Sequence, residues 1–397
     1  MPDVTRPMGY RPGLDVVRAL AVLAVIAYHY AGKARHLIPG GNLGVNVFFV
    51  LSGFLITRLL LEEHSRSDRV SIRSFVQRRA ARLIPALLLL LTWIVAATFV
   101  LDVYADRGAV VRGIAATLFY VRNWMEVAGS SEPALGFAWT LSVEEQFYLV
   151  WPVVFVAAAR RSRRAVVAVS VFLLSASVAQ MMIRSIFFGV SDEALTYGTE
   201  SSGLTGVMTG CVLAGILSVT PVASRRGRIM LQLAAVSASI VLLMFIFVLG
   251  NQPLLMPRGG HFAVAASTAI VLAGVVRGAV PFNRRMSAPL LWTGRHSYGL
   301  YLWHLPALVA TSHFLPDTSA MGVRVFALVV TFATAAASMK WLEAPARRRL
   351  SPARPSEVVD LRAGLSGKAK HTLTEDVSHD LTGATGEFVA GAVRDLA

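Results

Sequence analysis

The sequence contains little cysteine and little charge, and both scarcities narrow the classes of protein to consider. Its single cysteine, Cys211, lies in an apolar run, which excludes a disulfide framework or a cysteine metal site within the chain. Only 15% of the 397 residues are charged, whereas a soluble protein carries about 25%. Hydrophobic residues make up 55% of the chain, so it is too apolar for an ordinary soluble protein. No cluster of metal ligands is evident, and we expect no permanently bound cofactor.

Acidic residues are also scarce, since 38 Lys and Arg stand against 23 Asp and Glu, a formal net charge of +15. Such a balance can indicate nucleic-acid binding. Here, however, the arginines occur in short clusters between apolar runs, a pattern typical of a multi-pass membrane protein with basic cytoplasmic loops. We therefore expect the partner to be the lipid bilayer of the cell membrane and not a nucleic acid.

Ten apolar runs are long enough to cross a bilayer, for which roughly 17–25 residues are needed. They predict an all-α integral membrane protein, a bundle of about ten transmembrane helices formed by residues 1–350. The runs lie near residues 14–31, 43–62, 83–101, 143–160, 165–183, 203–219, 229–249, 262–277, 290–312 and 322–343.

The arginine clusters fall on one side of this predicted bundle, because they follow the second, fourth, sixth, eighth and tenth runs. Since Lys and Arg mark cytoplasmic loops, both termini are predicted to be cytoplasmic. The opposite loop near 185–201 carries acidic residues instead. The clusters comprise Arg66, Arg69, Arg73, Arg78, Arg79 and Arg82; Arg160, Arg161, Arg163 and Arg164; Arg225, Arg226 and Arg228; Arg277, Arg284 and Arg285; and Arg347, Arg348 and Arg349.

Two segments lie outside the predicted spans. Val110–Trp124 is apolar but interrupted by Arg112, Arg122 and Asn123, which predicts an interfacial or re-entrant helix. Residues 351–397 are polar and too poor in apolar side chains for a folded domain, which predicts a largely disordered cytoplasmic tail.

The stretch from Trp139 to Pro152 carries two carboxylates, Glu144 and Glu145, where the hydrocarbon region should begin. Because a charge at that depth is costly, ionisable residues there are candidates for function. Glu144 and Tyr148 are four residues apart and share a helix face. Alternatively, both glutamates lie in the headgroup layer and anchor the helix end.

The first span holds Arg18 and His29, eleven residues apart. This separation is almost three helical turns, so the two side chains share a face about 16 Å apart along the axis. A neutral imidazole is well suited to act as a general base near pH 7. The alternative is an interfacial histidine in an aromatic belt beside Tyr28 and Tyr30.

Arg79 and Arg82 are three residues apart at the predicted cytoplasmic edge of the third span. Two guanidinium groups on one helical face are suited to binding a phosphate or pyrophosphate. Alternatively, these arginines only set the topology and attract anionic lipid.

Ser297, Tyr301 and His304 follow spacings of four and three and therefore share one face of the ninth span. The alternative is an aromatic-belt anchor. In the second span, the small residues Gly44 and Gly53 favour close helix packing, whereas Ser52 is a hydrogen-bond donor available to a ligand.

Taken in chain order, these segments resemble the membrane-bound acyltransferase-3 family, over spans one to four, nine and ten. The resemblance implies ten spans and the transfer of an acyl group from a coenzyme A thioester to a hydroxyl, usually of a sugar. A stand-alone chain of this size resembles members that acylate sugars of macrolide antibiotics. The matching pieces are Arg18 with ten residues to His29, Gly44–Thr57, Phe75–Pro85, Trp139–Pro152, Ser297–Pro306 and Glu343–Pro345.

The resemblance and the residue patterns together predict an active site. His29 is the predicted general base, Glu144 orients or charges it, and Arg18 binds the pantetheine arm or stabilises the oxyanion. Arg79 and Arg82 are predicted to hold the phosphates of acyl-CoA, the donor substrate. The expected acceptor is a glycosylated natural product or a cell-envelope glycan or glycolipid. The predicted substrate-binding residues are Trp139, Ser142, Tyr148, Ser297, Tyr301 and His304.

Two functions of other classes use the same features. A transporter or flippase would use the buried Arg, His and Glu as a substrate path. Broken helices and internal pseudo-repeats would favour a transporter, and the sequence shows neither. A receptor or scaffold would instead act through the tail.

Overall fold

A computed structural model of the protein describes residues 9–129, 134–189, 202–220, 224–250, 252, 254–280 and 287–350. These residues form fourteen α-helices and no β-strand. The predicted tail, residues 351–397, lies outside the described residues. The helices are α1 (Pro12–Tyr30), α2 (Gly44–Ser67), α3 (Ile72–Phe99), α4 (Arg107–Leu118), α5 (Arg122–Val127), α6 (Trp139–Ala159), α7 (Arg163–Phe187), α8 (Leu204–Val219), α9 (Arg225–Met244), α10 (His261–Val276), α11 (Ala288–Arg295), α12 (Ser297–Phe314), α13 (Ala320–Ser338) and α14 (Ala344–Leu350).

Every predicted span coincides with helix. Eight helical segments of the described residues are long and apolar enough to cross a membrane. The sixth predicted span is α8, a shorter apolar helix of 16 residues, and the ninth is the pair α11 and α12. The prediction of an all-α, multi-pass membrane protein is therefore confirmed.

The ninth predicted span is divided into two helices. His296 has φ −95° and ψ 4° and separates α11 from α12. A segment of π-helix, Met339–Glu343, also joins α13 to α14. A single non-helical residue or a π-turn leaves the apolar pattern of a run unchanged, so neither feature is visible in the sequence.

The arginine-rich helix ends meet at one end of the bundle, as their spacing predicts. Arg163, at the start of α7, donates to Ser65 near the end of α2 at 3.0 Å. Arg277, just after α10, donates to the Thr220 hydroxyl beyond α8 at 2.7 Å. We call this the arginine-rich end; that it faces the cytoplasm stays a prediction.

Helices α2 and α8 approach so closely that glycine is required at their contact. A Cβ at Gly53 would collide with the Val207 carbonyl, and a Cβ at Gly210 would collide with the Val50 carbonyl. A Cβ at Gly44 would similarly meet the Ala21 carbonyl of α1. The packing role expected for Gly44 and Gly53 is therefore confirmed, and it fixes α2 between its neighbours.

Candidate active site

Five helices, α1, α2, α3, α6 and α12, enclose a cavity of about 100 Å³, which we call the arginine cavity. Three of its residues are arginines from two helices, brought together although they are up to 64 positions apart in the chain. The polar residues that line it are Arg18, Ser52, Arg79, Arg82, Thr140, Glu144, Tyr148, Ser297, Tyr298 and Tyr301.

The three guanidinium groups of the cavity differ in what they contact. Arg18 forms an ion pair with the buried Asp15 at 2.9 Å, one helical turn earlier in α1. Arg79 lies over the ring of Tyr148, 4.4 Å from its centroid. Within the described part of the chain, the Arg82 guanidinium has neither an ion pair nor a hydrogen bond. A half-buried guanidinium of this kind is suited to binding an anionic ligand.

Glu144 is held by two hydroxyl groups. Ser52 Oγ donates to its Oε1 at 2.8 Å, and the Tyr148 hydroxyl donates to its Oε2 at 2.8 Å. The Tyr148 hydroxyl also lies 3.2 Å from Ser52 Oγ. Both oxygens of this carboxylate are therefore fixed, and α2 is tied to α6 beside the ring that Arg79 covers.

His29 and His304 face each other, with ring centroids 5.0 Å apart. Nδ1 of His29 pairs with the Val25 carbonyl at 2.9 Å, and Nδ1 of His304 pairs with the Tyr301 carbonyl at 2.5 Å. Because a carbonyl only accepts, each Nδ1 carries a proton, and in the neutral form of either ring the lone pair is therefore on Nε2. His304 is fully buried, and its Nε2 has no partner among the described residues.

Tyr301 separates this histidine pair from the arginine cavity. Its hydroxyl donates to the Phe137 carbonyl at 2.9 Å and accepts from Thr140 Oγ1 at 2.9 Å. Its ring lines the cavity and lies 5.3 Å from the ring of His304. Neither histidine lines the cavity.

The structure therefore brings the predicted site residues together in two groups. Arg18, Arg79, Arg82, Glu144, Tyr148, Ser297 and Tyr301 line one cavity, and His29 and His304 lie beyond Tyr301. The predicted pairing of Glu144 with His29 is not formed, since the hydrogen bonds of Glu144 go to Ser52 and Tyr148.

Besides His304, two predicted substrate-binding residues lie outside the cavity lining. Ser142 is buried and accepts a hydrogen bond at 3.1 Å from the backbone N–H of Arg122, the first residue of α5. Trp139 packs edge-on against Phe49, which lines the cavity, at 5.9 Å between ring centroids.

The sequence reasoning missed three residues of the site, Asp15, Thr140 and Tyr298. Asp15 could have been found, because a carboxylate three residues before an arginine on a helix is in reach of it. Thr140 and Tyr298 carry no such local signal, since their place in the cavity depends on how α6 and α12 pack.

The family described as an acyltransferase domain, acyltransferase 3, matches residues 11–340 of the chain. The chain is 31% identical over 356 residues to the O-acetyltransferase OatA of Staphylococcus aureus, covering 86% of this chain and 58% of that protein. It is 31% identical over 356 residues to the peptidoglycan O-acetyltransferase OatA of Listeria monocytogenes, covering 85% and 56%. It is also 33% identical over 364 residues to the putative peptidoglycan O-acetyltransferase YrhL of Bacillus subtilis, covering 85% and 55%.

These matches run over most of this chain but over a smaller part of each relative. The chain spans less than three fifths of the length of the curated relatives that it matches. No solved structure matches the chain.

Proposed function

Because the chain belongs to the acyltransferase-3 family, we propose that it transfers an acyl group from a coenzyme A thioester to a hydroxyl of a cell-envelope glycan. The observation that carries the proposal is the arginine cavity, where side chains from five helices converge beside a pair of histidines. The cavity lies toward the arginine-rich end of the bundle, and the histidines lie toward the opposite end. This separation is suited to a reaction with one substrate from each side.

The arginine cavity is the proposed donor site. Arg79 and Arg82 bind the phosphates of acyl-CoA, because guanidinium groups form charge-assisted hydrogen bonds with phosphate oxygens. Arg18 lies in the same cavity on α1, where Asp15 holds it at 2.9 Å. Glu144, Ser52 and Tyr148 form the polar wall along which the pantetheine arm passes.

His29 is the proposed general base. Its Nδ1–H is held by the Val25 carbonyl, which leaves Nε2 free to take the proton of the acceptor hydroxyl. About 16 Å along α1 separates His29 from Arg18, which is on the order of the length of an extended pantetheine arm. A donor held at the arginines therefore delivers its thioester to the histidine without release of the acyl group.

The acceptor is proposed from the relatives, whose names state that they acetylate peptidoglycan. A cell-envelope glycan is the acceptor that agrees with these names, and acetyl is the acyl group. Acylation of a macrolide sugar stays a prediction that none of these relatives supports.

The test uses the purified full-length chain in lipid nanodiscs with radiolabelled acetyl-CoA and soluble muropeptides. We expect ester-linked acetyl groups on the glycan, detected by mass spectrometry, and their loss in the His29→Ala variant. His36→Ala is the matched control, because His36 also pairs with a backbone carbonyl, that of Lys33 at 3.0 Å, but is exposed.

The intact protein could instead transfer no acetyl group but take up the glycan or its precursor into proteoliposomes. That result would contradict the enzyme and support a transporter. Transfer by His29→Ala at the rate of the unmodified chain would instead retain the enzyme and remove His29 as its base.

A further inference from the structure

Tyr301 is the side chain that touches both groups of the site. It lines the arginine cavity, and its ring lies 5.3 Å from His304, which in turn faces His29 at 5.0 Å. If the donor is held on the cavity side and the base lies on the histidine side, the reacting carbonyl has to pass the Tyr301 hydroxyl. This step rests on the proposed function.

Acyl transfer places negative charge on the carbonyl oxygen in the transition state, and hydrogen-bond donors aimed at that oxygen lower the barrier. In its neutral form His304 does not supply such a donor, because its single N–H is directed at the Tyr301 carbonyl and its Nε2 carries a lone pair. The Tyr301 hydroxyl has one proton to donate and stands at the boundary between the two groups.

We propose that Tyr301 is a catalytic residue whose hydroxyl donates a hydrogen bond to the oxygen of the acyl carbonyl as transfer occurs. The phenol now donates to the Phe137 carbonyl at 2.9 Å and has to exchange that acceptor for the acyl oxygen. Thr140 Oγ1 lowers the free-energy cost of this exchange, since it lies 3.4 Å from the same Phe137 carbonyl and can replace the phenol as its donor.

These groups account for each proton and each bond that changes in the reaction. The acceptor oxygen forms a bond to the acyl carbon while its proton passes to His29 Nε2. The acyl oxygen gains charge and is held by the Tyr301 hydroxyl. The carbon–sulfur bond then breaks, the carbonyl re-forms, and the leaving thiolate takes the proton from His29. The products are the ester and free coenzyme A, and Tyr301 keeps its proton throughout.

The experiment compares Tyr301→Phe with Tyr298→Phe in the nanodisc assay with acetyl-CoA and muropeptides. Both tyrosines belong to α12, both line the cavity, and both donate to a backbone carbonyl, that of Leu83 at 3.0 Å for Tyr298. Because an oxyanion donor acts in the transition state, Tyr301→Phe is expected to lower kcat about 10²–10³-fold with little change in KM for acetyl-CoA. Tyr298→Phe should lower kcat far less.

Two further variants distinguish a catalytic Tyr301 hydroxyl from a purely structural one. Replacing Tyr301 by a fluorinated tyrosine keeps the ring and the hydroxyl but makes the phenol a stronger donor, so kcat should change while thermal stability does not. Thr140→Val removes the donor to the phenol and should lower kcat less than Tyr301→Phe.

An unchanged kcat in Tyr301→Phe, or a higher KM at constant kcat, would overturn the inference while acetyl transfer by the unmodified chain leaves the proposed function intact. If Tyr301→Phe does not accumulate, the fluorinated variant decides alone: a kcat equal to that of the unmodified chain would refute a role for the hydroxyl. No transfer by the unmodified chain would contradict the proposed function itself.

Discussion

At the scale of single residues, the donor arginines differ in what holds them. Arg79 lies over the ring of Tyr148, whereas the Arg82 guanidinium has no ion pair or hydrogen bond within the described residues. Of these two arginines, Arg82 can therefore bind a ligand without breaking a contact within the described part of the protein.

Arg82→Gln is expected to raise KM for acetyl-CoA roughly tenfold or more, since a hydrogen bond to a charged group contributes about 1.5–3 kcal/mol. The value of kcat and the KM for the glycan should change less, because phosphate contacts bind the ground state and the transition state alike. Arg82→Lys should recover only part of the loss, since lysine lacks the bidentate fork. The exposed Arg69 lies at the same end of the bundle, and Arg69→Gln is the control; equal sensitivity of both would mean that the arginines act only on topology.

Tyr30 ties α1 to α12 beside the histidine pair. Its buried hydroxyl donates to the His304 carbonyl at 2.7 Å and lies 2.9 Å from Thr331 Oγ1. Tyr30→Phe should therefore cost about 0.5–1.5 kcal/mol of stability and lower the transfer rate by loosening the spacing of the two imidazoles. Thermal unfolding in detergent and the rate of transfer measure the two effects.

The neighbouring Tyr28 offers a matched comparison. Its ring also contacts His29, at 5.2 Å between centroids, but the described residues give its hydroxyl no hydrogen bond. Tyr28→Phe should leave both quantities close to those of the unmodified chain. A loss of stability as large in Tyr28→Phe as in Tyr30→Phe would show that the hydrogen bond to α12 is not the cause.

Sequence patterns correctly predicted the cavity residues that share a helix face with a charged neighbour. Glu144 and Tyr148, at i and i+4, line the same cavity, as do Arg79 and Arg82 at i and i+3. Ser142 was assigned to the same site, yet it stands two positions from Glu144 and therefore points to another side of α6. Its partner there is the backbone of Arg122. Helical spacing alone would have excluded Ser142.

At the scale of helices, the segment before α6 departs from the single interfacial or re-entrant helix expected for Val110–Trp124. The chain forms α4 and α5, divided by a turn in which Tyr120 has φ 54°. The side chain of Gln146 in α6 donates to the Tyr120 carbonyl at 2.7 Å and to Asn123 Oδ1 at 3.0 Å. The turn is thus fixed by α6, a contact between distant positions that local spacing does not reveal.

A buried ion pair inside α5 strengthens this attachment. Arg122 is fully buried and lies 2.5 Å from Glu126, one turn further along α5. Arg122→Leu removes one member of this buried ion pair, and such a removal costs about 3–5 kcal/mol. We expect a large drop in the thermal unfolding temperature in detergent. Arg112→Leu, an exposed change on α4, should have little effect.

The double variant Arg122→Leu/Glu126→Leu separates charge from packing. Replacing both members of a buried pair by apolar side chains is often neutral or stabilising, so the double variant should be more stable than Arg122→Leu alone. A double variant as unstable as the single one would mean that Arg122 acts through its packing and its contact to α6.

At the scale of the whole molecule, the helical nature of the apolar runs followed from the sequence, whereas the division of the site into two groups did not. Run length and the spacing of arginine clusters are local properties that the bilayer imposes. The position of His29 relative to Glu144 depends instead on how far α1 and α6 are shifted relative to each other across the membrane. Two contacts between helices fix the surroundings of the cavity. They are the close approach of α2 to α8 at Gly53 and Gly210 and the hydrogen bond from Ser52 to Glu144. Each contact joins two different apolar runs, so neither can be predicted from one run alone.

The orientation of the bundle is the last prediction, and labelling of engineered cysteines tests it. Ser67 is exposed at the end of α2, at the arginine-rich end, and Thr318 is exposed between α12 and α13, at the opposite end. If the arginine-rich end is cytoplasmic, a thiol at Thr318 should react with a membrane-impermeant maleimide in intact cells, and a thiol at Ser67 only after permeabilisation. The unmodified chain is the control, because its single cysteine, Cys211, is fully buried. The reverse pattern would place Arg79 and Arg82 outside, where acyl-CoA is absent, and would refute the donor site together with the orientation.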